Sequence, residues 1–192
     1  MKKVLALLFM TFFLAAGTLP ASCLAYEPQR IAVLPVFNSS DTHDQDTEQV
    51  IADALQAKFH MPLAKVITIY DVIPAKEVQL ALPPELQNRN KPGKINAAVL
   101  QKIGTSLQAD IVIGAQITNF TAVTFSNRDG DLFQRTDLTI RIVGYDVGKN
   151  QFLDIHDSRD YDGDWSVMGN PDYLAKQIME DLMGKVPYTW KR

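Results

Sequence analysis

The sequence predicts an α/β domain in which a mixed sheet is flanked by helices and passes, in its second half, into an antiparallel meander closed by a final helix. Three observations lead there. Two almost wholly apolar runs, Arg30 to Phe37 and Ala109 to Ala115, have the composition of strands buried on both faces. Each adjoins a segment of helical periodicity, which is the grammar of an α/β unit. From Gln116 onward the pattern changes to alternation broken by Asp129-Gly130 and by Asp146-Val147-Gly148-Lys149-Asn150, as antiparallel pairing requires.

The elements follow in order. The Arg30 to Phe37 strand exits through Asn38-Ser39-Ser40-Asp41 into a helix, for which Thr42 and Gln45 are spaced as a capping box and Val50, Ile51, Ala54, Leu55 and Phe59 form the apolar face. Pro62 stops that helix, and Ala64 to Tyr70, rich in branched side chains, reads as the next strand. Pro74 to Leu82 is a short helix with proline tolerated in its first turn, and Pro83 to Lys94 is a polar loop rich in structure breakers. Asn96 can cap a helix whose Val99, Leu100, Ile103 and Leu107 share one face. After the Ala109 to Ala115 strand, a long strand to Ser126 turns at Asp129-Gly130 and returns through Leu138 to Ile142. Gln151 to Asp160 completes the meander. Asn170-Pro171-Asp172 then caps a helix that carries Leu174, Ile178, Leu182 and Met183 inward as far as Gly184.

Ahead of these elements lies a processing signal. Lys2 and Lys3 precede the apolar stretch Val4 to Ala16, and Leu19 to Ala25 supplies a break followed by small residues, as in a secretory signal peptide. The apolar stretch is shorter than the about 20 residues a membrane span needs. Cleavage after Ala25 leaves residues 26–192 as a single domain without cysteine, exported to the periplasm or beyond. Cys23 offers an alternative, an outer-membrane lipoprotein anchored through that residue, but Pro20 stands where a lipoprotein signal favours leucine. Membrane contact is expected only in that second case.

Composition narrows the partners. The full chain carries a net charge of -3, and loss of Lys2 and Lys3 makes the exported part more acidic. A nucleic-acid partner is therefore not expected. The exported chain is long enough to bury a core without disulfides or metal.

Three segments carry a family resemblance: the strand Arg30 to Phe37 running into Asn38-Ser39-Ser40, the helix and strand from Lys94 to the "Ala-Asp-Ile-Val-Ile-Gly" of residues 109–114, and Thr139 to Asn150 ending "Tyr-Asp-Val-Gly-Lys-Asn". Together they resemble the domain shared by curli-secretion channel lipoproteins and the outer-membrane lipoprotein activators of penicillin-binding proteins. The resemblance implies a cell-envelope location and action by binding other envelope proteins. Two departures stand out, the poor lipidation site at Cys23 and a hairpin ill suited to a membrane. Gln116 to Phe125 loses strict alternation, and Gln134, Arg135 and Asp137 crowd the returning strand, whereas a barrel strand needs one apolar face.

No catalytic, cofactor-binding or metal-binding residue is assigned. His43, His60 and His156 show no ligand spacing, and no Gly-x-Ser-x-Gly elbow is present. Asp129-Gly130-Asp131 and Asp160-Tyr161-Asp162-Gly163-Asp164 alternate carboxylates as a calcium loop does, but the glycine comes too early and the closing glutamate is missing. Gly144 to Lys149 is one residue short of a phosphate loop and lacks the following Ser or Thr, so it reads as a turn. Asp154, Asp157 and Asp160 are the carboxylates that folding could bring together, and charge along a strand edge also deters unwanted pairing. Trp165 and Trp190 are candidate contact residues, since tryptophan is enriched at binding hot spots and equally at home in a core. The expected role is therefore a non-enzymatic regulator or assembly component of the envelope, working through a sheet edge or loops. The alternative is a small-ligand or glycan module using a cleft between sheet and helices.

Overall fold

The computed structural model describes residues 28–60 and 70–188. The leader, its cleavage site, Cys23, Trp190 and most of the expected Ala64 to Tyr70 strand lie outside the described residues. In chain order the elements are β1 (Gln29–Val33), β2 (Phe37–Asn38), α1 (Gln45–His60), β3 (Tyr70–Val72), α2 (Ala75–Ala81), α3 (Pro84–Gln87), α4 (Ala97–Leu107), β4 (Ile111–Ser126), β5 (Leu132–Asp146), β6 (Gln151–Asp164), a 3₁₀ turn (Val167–Gly169) and α5 (Pro171–Lys185). The sheet order is β3-β1-β4-β5-β6, with β2 beside β4. Strands β1 to β4 are mutually parallel where they pair, and β4, β5 and β6 are antiparallel. The mixed sheet, the terminal meander and the last helix are those the sequence predicts.

Helices cover both faces. Ile31, Ile111, Ile113, Ile140 and Ile142 point to one side, where they meet Ile51 and Leu55 of α1 and Ile178 and Leu182 of α5. Ala32, Leu34, Val112, Val143 and Tyr145 point to the other, against Val78 of α2, Leu86 of α3 and Leu100 and Ile103 of α4. Burial on two sides explains why β1 and the start of β4 are continuous apolar runs. Each fully buried Ile or Leu contributes about 2 kcal/mol of transfer free energy.

Local differences from the expectation have physical causes. The Arg30 to Phe37 run is split at Leu34-Pro35-Val36, because proline lacks the N–H a ladder needs. Leu34 still donates to the Ile113 carbonyl at 2.7 Å, so the line of the strand is kept. Helix α1 is capped by Asp44 and not by Thr42: the Asp44 carboxylate accepts from Thr47 Oγ1 at 2.6 Å and from the Asp46 amide at 3.3 Å. Thr42 instead offers its carbonyl to Asn38 Nδ2 at 3.0 Å and Ser40 Oγ at 2.8 Å, which holds it in the loop. The expected loop from Pro83 contains the one-turn helix α3, whose Leu86 is fully buried. The caps at Asn96 and Asn170 form as expected, accepting from the Val99 amide at 3.0 Å and the Asp172 amide at 2.9 Å. Helix α5 runs one residue past Gly184, to Lys185.

Candidate interaction surface

The meander outgrows the helical layers. Strand β4 is 16 residues long and β5 is 15, roughly three times a common strand, and their far halves project as a three-stranded arm with β6. A register shift between Ile117 and Asn119 marks where the arm leaves the core. Such a bulge bends the strand and increases its twist. Beyond it only Phe120 of β4 is buried.

At its end the arm turns through Asn127 to Asp131. The Asn127 side-chain carbonyl accepts from the amides of Asp129 and Asp131, both at 2.9 Å, and Gly130 takes φ +90, which a side chain would resist. Asp129 and Asp131 are therefore turn residues. Among the described residues no group of three or more His, Cys, Asp or Glu side chains is placed to hold a metal ion.

One face of the arm is braced by the 3₁₀ turn. Gln134 Nε2 and Thr136 Oγ1 both donate to the Gly169 carbonyl, at 2.7 and 2.6 Å, from buried positions. Tyr161 lies against Gly169, and a Cβ there would collide with ring atom Cδ1 and sit 2.7 Å from Cε1 and 2.8 Å from Gln134 Oε1. The absence of a side chain lets the turn close on the strands. Tyr161 in turn donates to the Asp164 carbonyl at 2.6 Å and accepts from Ser166 Oγ at 2.8 Å.

This brace presents apolar side chains to water. Trp165, Val167 and Met168 are 60%, 70% and 62% exposed, beside Leu132. On the opposite face Val123 and Phe125 are about half exposed, and Phe125 stacks on Phe133 with ring centroids 5.7 Å apart. Large apolar side chains exposed on an ordered scaffold mark interaction sites. Of the two tryptophans, Trp165 is thus at the surface and Trp190 is outside the described residues. Nothing in the residue pattern announced these exposed side chains, because Val167 and Met168 sit in a turn and Val123 and Phe125 lie on the other face of the arm.

The other candidate side chains do not assemble into chemistry. Asp154 and Asp160 lie on one face of β6 and Asp157 on the other, as strand alternation dictates. Asp154 is held by Arg141 and Asp157 by Arg159, the latter at 3.1 Å. His43 stands 3.6 Å from Glu48, and His156 is exposed on β6 opposite Arg141. Asp146 receives the Lys149 amide at 2.9 Å and the Lys149 ammonium at 2.7 Å, so the Gly144 to Lys149 segment closes as a turn on itself.

No family model matches the chain, and no curated protein matches it. Solved structures do. The chain is similar to the lipoprotein GNA1162 from Neisseria meningitidis, at 17% identity and a TM-score of 0.47 over 82% of this chain and 99% of that one. It is similar to the hypothetical protein CT253 from Chlamydia trachomatis, at 12% identity and a TM-score of 0.46 over 83% and 95% of the two chains. The C-terminal domain of LpoB from Escherichia coli matches at 12% identity and a TM-score of 0.37, over 80% and 93%. Likenesses this distant leave the role of the chain to be argued from its own residues.

Proposed function

We propose that this chain is an exported bacterial envelope protein, without catalytic activity, that acts by binding another envelope protein through the end of the β4-β5-β6 arm. The carrying observation is that the end of the arm exposes apolar side chains on both faces, Leu132, Trp165, Val167 and Met168 on one and Val123 and Phe125 on the other, while buried hydrogen bonds fix its backbone. A rigid presentation lowers the entropy that binding must overcome. The signal-like leader supports export to the compartment in which such a partner would reside.

A protein partner suits the arm better than lipid. Arg135, Asp137, Asp160, Asp162 and Asp164 share a face with Val123 and Phe125, and a basic side chain in the middle of a bilayer costs about 2–4 kcal/mol. At a protein interface the same charges form the polar rim around an apolar centre. No described helix is long and apolar enough to cross a membrane.

Capture from cross-linked envelopes tests the reading. The native chain should recover a stoichiometric partner, and Trp165→Ala with Val167→Ser should lose it while melting at an unchanged temperature. Equal recovery by the native and altered chains would remove the arm from the interface.

A further inference from the structure

A cleft of about 460 Å³ opens at the carboxyl ends of β1 and β3, between α1 and α2. Topology puts it there. The chain leaves β1 toward α1 on one face of the sheet and leaves neighbouring β3 toward α2 on the other, so the two connections part above adjacent strand ends. In open α/β sheets ligands bind where connections diverge in this way. The volume lies in the range of ligand pockets, about 300–1,000 Å³. None of the exposed apolar residues of the arm lines it.

The lining is specific in what it offers. Val33 to Val36 form an apolar floor at the interruption between β1 and β2. Gln45, Gln49, Ala52 and Gln56 recur at intervals of four, three and four and so share the face of α1 turned to the cleft. Gln79 of α2 and Arg89 lie across from them. Among the described residues the lining carries two charged side chains, both already engaged: Glu48 accepts from Asn38 Nδ2 at 2.8 Å, and Arg89 Nη2 donates to Gln79 Oε1 at 2.9 Å. That bond leaves the Gln79 NH₂ as a donor. Gln49 has the reverse polarity, since its NH₂ donates to Asp53 at 2.7 Å and its carbonyl remains an acceptor. One wall therefore offers an acceptor and the other a donor, the complement of the N–H and C=O of a peptide group.

Length and the absence of rings decide the ligand class. From Gln45 to Gln56 the helix advances about 16 Å, which an extended chain spans in about five residues. Among the described residues no aromatic side chain lines the cleft to stack on a sugar ring. We propose that the cleft binds an extended, uncharged peptide segment, with its backbone amides against the glutamine row and alternate small apolar side chains on the Val33 to Val36 floor. It is a second site, independent of the partner held by the arm.

The experiment is a ¹⁵N–¹H correlation titration of the exported chain with the capped peptide acetyl-Ala-Val-Ala-Val-Ala-amide, and in parallel with chitotriose and maltotriose. The peptide should shift the side-chain NH₂ resonances of Gln49, Gln56 and Gln79 and the Ala52 amide in a saturable way, and the sugars should not. Gln49→Met, which removes that acceptor at an exposed position of the helix, should weaken the peptide by about tenfold with the melting temperature little changed; Ala52→Trp, which fills the cleft, should abolish the shifts. Saturable shifts with a sugar and none with the peptide would overturn the peptide assignment. No shift with any of the three at millimolar concentration, or unaltered peptide affinity in both variants, would overturn the site itself.

Discussion

Arg141 of β5 grips Asp154 of β6 through two parallel hydrogen bonds, Nε to Oδ1 at 2.7 Å and Nη2 to Oδ2 at 2.8 Å. The same guanidinium donates to Gln116 Oε1 at 3.0 Å and to the Ile95 carbonyl at 3.3 Å, and Gln116 passes the chain on to Ser39 Oγ at 2.6 Å. One cation thus ties β6, β5, β4, the loop after β2 and the approach to α4. The Arg141 hydrogen bonds hold the Asp154 carboxyl below the usual carboxylate range, and nearby positive charge adds to the effect.

The two partners should therefore differ in what their loss costs. Asp154 is 41% exposed, so solvent screening limits Asp154→Asn to less than about 1 kcal/mol. Arg141→Ala strips a donor from Gln116, which is buried, and should cost about 1–3 kcal/mol. Because the folded carboxyl has the lower pKa, its contribution is present above the unfolded value and disappears as pH falls through the folded one. Urea unfolding from pH 7 to pH 3 should show the native chain and Asp154→Asn converging in stability at the acid end. A gap that stays constant with pH would contradict the linkage.

Tyr188 gives the opposite dependence. Its ring is buried, its phenol oxygen has no hydrogen-bond partner among the described residues, and burial, with Asp146 adding, pushes its pKa up to about 12. An unfolded tyrosine ionises near pH 10. The raised value means that stability is fully present below pH 10 and is lost as pH rises toward 12, on the order of 2 kcal/mol. Tyr188→Phe should remove that alkaline loss, and at neutral pH it should leave stability equal or slightly raised, since an unpaired buried hydroxyl is given up. The Tyr70 hydroxyl, which donates to the Tyr188 carbonyl, keeps its partner in this variant. Denaturation curves at pH 8 and pH 11 for both chains measure it.

What the residues disclose in advance is the part of the fold that depends on local pattern. Ile111 to Ala115 and Ile31 to Leu34 are legible because two-sided burial writes an unbroken apolar run, and Asn96 and Asn170 because a cap is a contact of two or three residues' range. The cap of α1 is different. Thr42 and Asp44 both have acceptor side chains near the start of the helix, and the choice between them is made by Asn38, whose amide takes the Thr42 carbonyl from another part of the loop. The arm is legible as a hairpin at Asp129-Gly130, yet its apolar end is not, since strand register alone decides that Leu132 faces one side and Val123 the other, and the turn docked through Gly169 brings Val167 to the first of these. The glutamine face of α1 can be read from its spacing, but that it borders a cleft depends on the direction of the crossovers.

Thr47 joins two helix beginnings. Fully buried, its hydroxyl lies 2.6 Å from the Asp44 carboxylate at the start of α1 and 2.9 Å from the Asp172 carboxylate in the first turn of α5. The two carboxylates approach one donor, a crowding offset by the positive ends of both helix dipoles. Thr47→Val keeps the shape and removes the donor, so it should cost about 1–3 kcal/mol. Asp44→Ala should cost about 1 kcal/mol as a lost cap. Since both act through the same hydroxyl, their double variant should be less destabilised than the two effects added, which a thermal double-mutant cycle reads directly; strict additivity would separate the cap from the bridge.

The brace of the arm provides the sharpest link between stability and binding. At Gly169 a methyl group would meet the Tyr161 ring and Gln134 Oε1 well inside normal contact distance, and Gln134 and Tyr161 are held on strands that cannot both retreat without breaking β5-β6 pairing. Gly169→Ala should push the 3₁₀ turn outward, weaken the donations of Gln134 and Thr136 to the Gly169 carbonyl, and destabilise the chain by about 1–3 kcal/mol. The loss should be local. Hydrogen exchange should quicken at Leu132 to Thr136 and Tyr161 to Trp165 while the amides of Ile111 to Ala115 keep their protection, because the helical layers stand on the other half of the sheet. Partner capture should fall in parallel even though Trp165, Val167 and Met168 are all still present, for the arm would no longer hold them in one arrangement. Faster exchange with undiminished capture would show that the apolar group binds without needing its brace.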